Sequence, residues 1–277
     1  MLSKKGLFLS VLALVFQLWV TCALAGDLDK FSGLEGTLDI AGGTAHIPVM
    51  NEAAQRIMTY NPKIRITVAG GGTGIGVQKV GQGLVDIGNT GRAPSEEEIA
   101  KFGLKSFDFA IDGVAPIVHP DNPVKSLTTQ QIRDIFAGRI TRWSEVGGPD
   151  AAIHVYSREE ASGTHEVFWK KLLKKEAVVG TANVIQSNGA MKVAISQDGN
   201  AIGYMSIGHI DSSVNPLDVD GVTPSQETAI DGSYPAVRHL FMNTKGEPTP
   251  LAQAFIDYIL SEEGASIIGT SGYIPVQ

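Results

Sequence analysis

Short apolar stretches that fit β-strands alternate with amphipathic stretches that fit α-helices along most of this 277-residue chain. That alternation requires crossover connections, and crossovers generate a mostly parallel sheet, so the fold class is α/β. Residues 37–40 (TLDI) read as a strand, and 49–60 as a helix with Met50, Ala53, Ala54, Ile57 and Met58 at helical spacing. Asn61-Pro62 stops that helix, and Ile64, Ile66 and Val68 alternate with Arg65 and Thr67 as a strand does. Glycines at 70, 71, 72, 74 and 76 lead into a helix around Val77, Val80 and Leu84. Further on, strands are expected at 114–118, 153–156, 201–206 and 237–242, and helices at 128–136 and 162–175. A loop is expected at 226–235, and one or two amphipathic helices at 251–268. No internal repeat or low-complexity tract interrupts the pattern.

Residues 1–25 stand apart. Lys4 and Lys5 precede a 15-residue apolar run (6–20), and Ala23-Leu24-Ala25 is a small-x-small cleavage site. This is a signal peptide cut after Ala25, because 15 apolar residues fall short of the roughly 20 that cross a bilayer. A lipid anchor on Cys22 is the weaker reading, since Trp19-Val20-Thr21 is a poor lipobox. Cleavage takes two lysines and no acid, so 252 residues remain with 20 basic against 29 acidic side chains, a net charge of −9. Such a balance opposes a general nucleic-acid binder but leaves room for a small anion held by local donors. The leader also holds the one cysteine of the chain, so the exported protein has neither disulfides nor thiolate chemistry. A 43% hydrophobic composition supplies a real core, and 252 residues fit two α/β lobes better than one.

Three junctions share one design, in which a strand runs into small residues with a hydroxyl and then a helix start. They are Gly42-Gly43-Thr44-Ala45, Gly72-Thr73-Gly74-Ile75-Gly76 and Ala161-Ser162-Gly163-Thr164. Glycine admits a ligand close to the backbone, and a helix N-terminus offers unpaired N–H groups with partial positive charge. Each loop alone is more often a plain helix cap. Arg158, four residues before Ser162, adds a guanidinium that can fork onto an anion; its plainer role is a surface pair with Glu159 or Glu160. The loops match neither the P-loop nor the G-x-G-x-x-G register, so a nucleotide is not expected. Ser162 and His165 lack a G-x-S-x-G context, and the six histidines show no metal-like pairing, so neither an enzyme nor a metal or other cofactor is expected.

Together these residues resemble the phosphate-binding proteins of bacterial phosphate ABC transporters, a family of type II periplasmic solute-binding proteins. The resemblance spans nearly all of the chain after the leader. It rests on V-A-G-G-G-T-G-I-G (68–76), D-I-G-N-T-G-R (86–92), I-F-A-G-R-I-T-R-W-S-E-V-G-G-P-D (135–150) and S-R-E-E-A-S-G-T (157–164). It implies two α/β lobes joined by a hinge of two crossing strands, closing over a dehydrated phosphate. The lobes would hold 26–116 with 242–277, and 117–241. Thr44, the Ala45 N–H and Thr73 would bind from the first lobe, and Arg158, Ser162, Gly163 and Thr164 from the second. Inorganic phosphate, and the permease and ATPase subunits of a transporter, are the implied partners of a periplasmic monomer.

One departure matters. Some family members carry an aspartate near position 92 that accepts the proton of a protonated phosphate and so rejects sulfate; here Gly91 is followed by Arg92. Asp112 is then a partner for Arg92, the acceptor itself, or a structural carboxylate at a strand entry. The alternatives left open are another tetrahedral oxyanion (sulfate, molybdate or arsenate) and an interaction protein with a vestigial site.

Overall fold

The computed structural model describes residues 26–276. Strands β1 (Gly36–Gly42), β2 (Ile64–Ala69) and β3 (Ile87–Thr90) alternate with helices α1 (Ile47–Tyr60), α2 (Thr73–Gly81) and α3 (Glu96–Phe102). The 15-residue β4 (Leu104–Val118) follows, then β5 (Ser126–Leu127), α4 (Thr129–Phe136), β6 (His154–Arg158), α5 (Gly163–Lys171), β7 (Asn183–Ile185) and α6 (Asn188–Ser196). Next come β8 (Ala201–Ser206), β9 (Asn215–Pro216), β10 (Asp218–Val219) and α7 (Gln226–Ile230). The chain ends with β11 (Val237–Lys245), α8 (Pro250–Ile259), α9 (Glu262–Thr270) and β12 (Ile274–Pro275).

The main sheet runs β2-β1-β3-β11-β4-β8-β6-β7. Its flanks are parallel, β1 with β2 and β3 on one side and β6 with β7 and β8 on the other. Its centre is antiparallel: β11 pairs with β4 from Val237↔Gly113 to Lys245↔Leu104. β4 belongs to both halves, because its stretch from Val114 to Val118 pairs with β8 while Ile111 and Ala110 pair with β12. These two strands cross between the halves, and the molecule has the two-lobed α/β architecture that the resemblance implies.

Each half buries its own core. Leu38, Ile40, Ile64, Ile66 and Ile87 of the sheet pack on Met50, Ile57, Phe255, Ile256 and Ile267 of α1, α8 and α9. A second cluster gathers Val114, Val118, Ile135, Phe136, Trp143, Phe168, Ile202 and Tyr204. Each such side chain contributes about 1.5–3 kcal/mol by leaving water.

The expected loop at 226–235 contains α7, which Ser225 starts by accepting from the Thr228 N–H. The closing segment is two helices, because Ser261 caps α9 directly after α8 ends at Ile259. Two further helices lie where none was expected. One is α3, opened by a Ser95–Glu98 capping box and closed by the left-handed Gly103; the other is α6, capped by Ser187. The expected signal peptide and Cys22 fall outside the described residues. No helix among the described residues is long and apolar enough to cross a membrane.

Candidate anion-binding site

Each of the three loops leaves the C-terminal end of a parallel strand and enters a helix, the place where open α/β sheets bind ligands. β1 ends at Gly42, whose φ of 132° and bare Cα let it pack on the Asn89 backbone, and a single 3-10 turn (Thr44–His46) carries the chain into α1. Gly72, at φ 87°, turns the chain into α2 beginning at Thr73; a Cβ there would stand 3.0 Å from the Ala161 oxygen. β6 ends at Arg158, and Ser162 caps α5 by accepting from the His165 N–H at 3.3 Å.

Thr44, Ala45, Thr73, Arg158, Ser162, Gly163 and Thr164 are all buried, and the structure brings them together. The Gly74 N–H donates to the Ala161 oxygen at 3.2 Å, joining the second loop to the third. Asn188, at the start of α6, donates through Nδ2 to Thr44 Oγ1 at 3.2 Å and accepts from Arg158 Nη1 at 3.4 Å. His209 Nε2 meets the Thr44 carbonyl at 2.9 Å, and the Ala45 carbonyl accepts from the Tyr273 hydroxyl at 2.6 Å.

The hydroxyls are arranged alike. Thr44 accepts from Asn188, Thr73 from the Gly91 N–H at 2.9 Å, Ser162 from the His165 N–H, and Thr164 from Arg238 Nη2 at 3.1 Å. None of the four gives its own proton to another described residue. Four buried hydroxyls that each accept an N–H and keep their own proton free call for an acceptor, and a buried polar group without a partner costs about 1–3 kcal/mol.

Arg158 is not the surface residue of its plainer reading. It is 3% exposed, forms no ion pair among the described residues, and is held by the carbonyls of Ile185 (Nε, 2.9 Å) and Gln186 (Nη2, 3.0 Å). Burial pushes its pKa down to about 10, with Arg238 acting in the same direction, so the cation persists at neutral pH.

Arg92 is not the partner of Asp112. It points out of the site, forked onto Glu98 at 2.7 and 2.8 Å and reaching Glu166 at 3.2 Å. Asp112, fully buried on β4, instead accepts from Arg238 of β11, Nε at 2.9 Å and Nη2 at 2.7 Å, and from the Ser206 hydroxyl at 2.8 Å. Burial pushes its carboxyl upward and the Arg238 guanidinium opposes that.

The sequence reading missed Arg238 and Asn188. A signal for Arg238 existed: it alternates with Val237 and His239 and shares the buried face of β11 with Leu240 and Met242. Asn188 carried none, being one asparagine at an unrecognised helix start. His165 turns its ring to the Tyr204 hydroxyl at 2.8 Å, leaving Ser162 without a general base. Among the described residues no group of three His, Cys, Asp or Glu could hold a metal.

A family profile for the PBP superfamily domain matches residues 32–263. The phosphate-binding protein PstS of Bacillus subtilis is 34% identical over 288 residues, covering 100% of this chain and 95% of the relative. The chain belongs to this superfamily and, within it, to the bacterial phosphate-binding proteins. That is a family of solute-binding proteins rather than enzymes. Two solved structures agree. A phosphate ABC transporter substrate-binding protein from Clostridium perfringens, with bound phosphate, superposes with a TM-score of 0.83 at 37% identity, covering 87% of this chain and 100% of that one. An ABC-type phosphate transport receptor from Vibrio cholerae gives 0.68 at 32%, covering 86% and 99%. The phosphate-binding-protein fold thus accounts for the three loops meeting between the lobes.

Proposed function

We propose that this chain binds inorganic phosphate outside the cytoplasmic membrane and delivers it to the permease of an ABC transporter, which the ATPase subunits drive. The observation that carries the reading is the set of four buried hydroxyls with free protons, together with Arg158, a buried cation with no carboxylate partner among the described residues. Phosphate offers oxygens in tetrahedral directions, enough to meet donors from three loops at once. The B. subtilis and V. cholerae relatives, named for phosphate, support the same ligand.

The ligand residues are Thr44, the Ala45 N–H, Thr73, Arg158, Ser162, Gly163 and Thr164. The first lobe holds 26–116 with 242–277 and the second 117–241, so an anion seated between them favours the closed arrangement. The protein works as a monomer, exported by the 1–25 leader. Calorimetric titration of the dialysed chain from Gly26 onward tests this. One-to-one phosphate binding is expected; no phosphate heat, with bound phosphate ruled out, overturns it.

A further inference from the structure

A second guanidinium reaches Thr164, one of the four hydroxyls, from the hinge rather than from the loops. Arg238 is 7% exposed. Its Nε and Nη2 fork onto Asp112, and Nη2 also donates to Thr164. Nη1 makes no hydrogen bond to a described residue. It lies against Gly91, where a Cβ would stand 2.6 Å from Nη1 and 3.5 Å from Thr73 Oγ1. The free edge of the guanidinium thus sits between Thr73 and Thr164, and only glycine at 91 leaves it room.

We propose that Arg238, oriented by Asp112, is a direct ligand of the anion and makes the site select by charge rather than by protonation. This rests on the phosphate reading above and deepens it. No carboxylate among the described site residues is free to accept a phosphate proton. Asp112 is taken by Arg238 and Ser206, Asn188 Oδ1 by Arg158 and the Ser206 N–H, and each hydroxyl oxygen by an N–H. An anion therefore meets two cations and a wall of donors. HPO₄²⁻ brings two charges and one proton to place, H₂PO₄⁻ one charge and two protons, so the dianion is preferred. Sulfate, a dianion with no proton, is admitted as a competitor.

The charged and titratable groups facing Arg238 are Asp112 on β4, Arg158 on β6, Tyr273, His46 of the first loop and His209 after β8. Burial holds His46 near about 3 and His209 near about 4, so neither titrates between pH 6 and 8.

The test is titration of the chain from Gly26 onward with phosphate at pH 6 and pH 8, with sulfate as competitor. It uses wild type, Arg238→Lys (a cation kept on Asp112, no fork) and Asp112→Asn/Arg238→Gln, which removes both charges so that no unpaired carboxylate is left buried. Phosphate should bind wild type several-fold more tightly at pH 8, and sulfate should displace it. Each variant, checked for a cooperative melt, should lose at least about tenfold in affinity. A folded variant that binds like wild type, phosphate that tightens toward pH 6, or sulfate that cannot compete overturns the proposal. Wild type that binds sulfate but not phosphate overturns the phosphate reading instead, and the variants are then read on sulfate. Silence toward both anions overturns both.

Discussion

Asn188 donates its side-chain amide to Thr44 Oγ1 at 3.2 Å, although 144 residues separate the two in sequence and they belong to opposite halves of the sheet. Its Oδ1 meanwhile accepts from Arg158 Nη1 and the Ser206 N–H. One amide therefore links the first loop to the arginine of the third. Asn188→Ala removes that link and should weaken phosphate binding about tenfold to a hundredfold, since a buried bond to a charged group contributes about 1.5–3 kcal/mol. Asn188→Asp should be worse than Ala, because its carboxylate pairs with Arg158 in place of the anion. Calorimetric titration checks the order; an Asp variant that binds better than Ala contradicts it.

Arg158 poses a different question, because its charge is buried without a counter-charge. Arg158→Met leaves the Ile185 and Gln186 carbonyls without their donor but also relieves an uncompensated cation, two effects of opposite sign. The unliganded melting temperature should therefore change little. Phosphate affinity should fall by about 30-fold to several thousand-fold, the roughly 2–5 kcal/mol typical of a truncated buried charged contact. Thermal melts with and without phosphate check both, since the ligand-induced rise should vanish in the variant. A loss below threefold rules out Arg158 as a ligand.

The local parts of this site were legible in sequence and the assembled parts were not. Arg158, Ser162, Gly163 and Thr164 lie within seven positions, so a strand end, a cap and a helix start can be read together. Arg238 and Asn188 arrive from 80 and 30 residues away, and nothing local announces where the sheet will carry them. The pairing of Asp112 with Arg92 failed for the same reason. Arg92 lies just past the end of β3 and Asp112 midway along β4, but β11 lies between β3 and β4 and supplies the cation itself. In β4 only 114–118 read as a strand, because that stretch is buried on both faces. The preceding residues, with Lys105, Asp108 and Asp112 among the apolar ones, do not alternate cleanly. The two-core division follows from chain length and the strand-helix alternation, which is why the α/β class needed no long-range information.

Acid should destabilise the fold in a defined window. His46 and His209 are buried neutral, at about 3 and about 4, chiefly through desolvation, whereas an unfolded histidine titrates near 6.5. Between those values the unfolded chain binds protons that the folded chain refuses, so stability is full above about 6.5 and falls as pH drops toward 4 and 3. Glu98, held at about 2 by its hydrogen bonds from Arg92, adds a further loss below the ordinary carboxylate range. Chemical denaturation across pH 7 to 4 should show stability falling, and His209→Gln should flatten the curve between about 6.5 and 4. Stability that rises from pH 6.5 to 5 refutes this account.

Gly163 tests closure without touching charge. It opens α5 and could carry a side chain within its own lobe, but a Cβ there would overlap Thr73 Oγ1 and stand 3.3 Å from the Gly91 Cα, both across the cleft. Gly163→Ala should thus leave the unliganded melt near wild type while abolishing tight phosphate binding, because the lobes cannot meet. Small-angle scattering separates this from a local defect: phosphate should compact wild type but not the variant. Adding Thr73→Ala clears the space, so the double variant should regain compaction at saturating phosphate while its affinity stays low for want of the Thr73 hydroxyl. A single Gly163→Ala variant that compacts and binds like wild type would show that the loops do not approach this closely in the bound state.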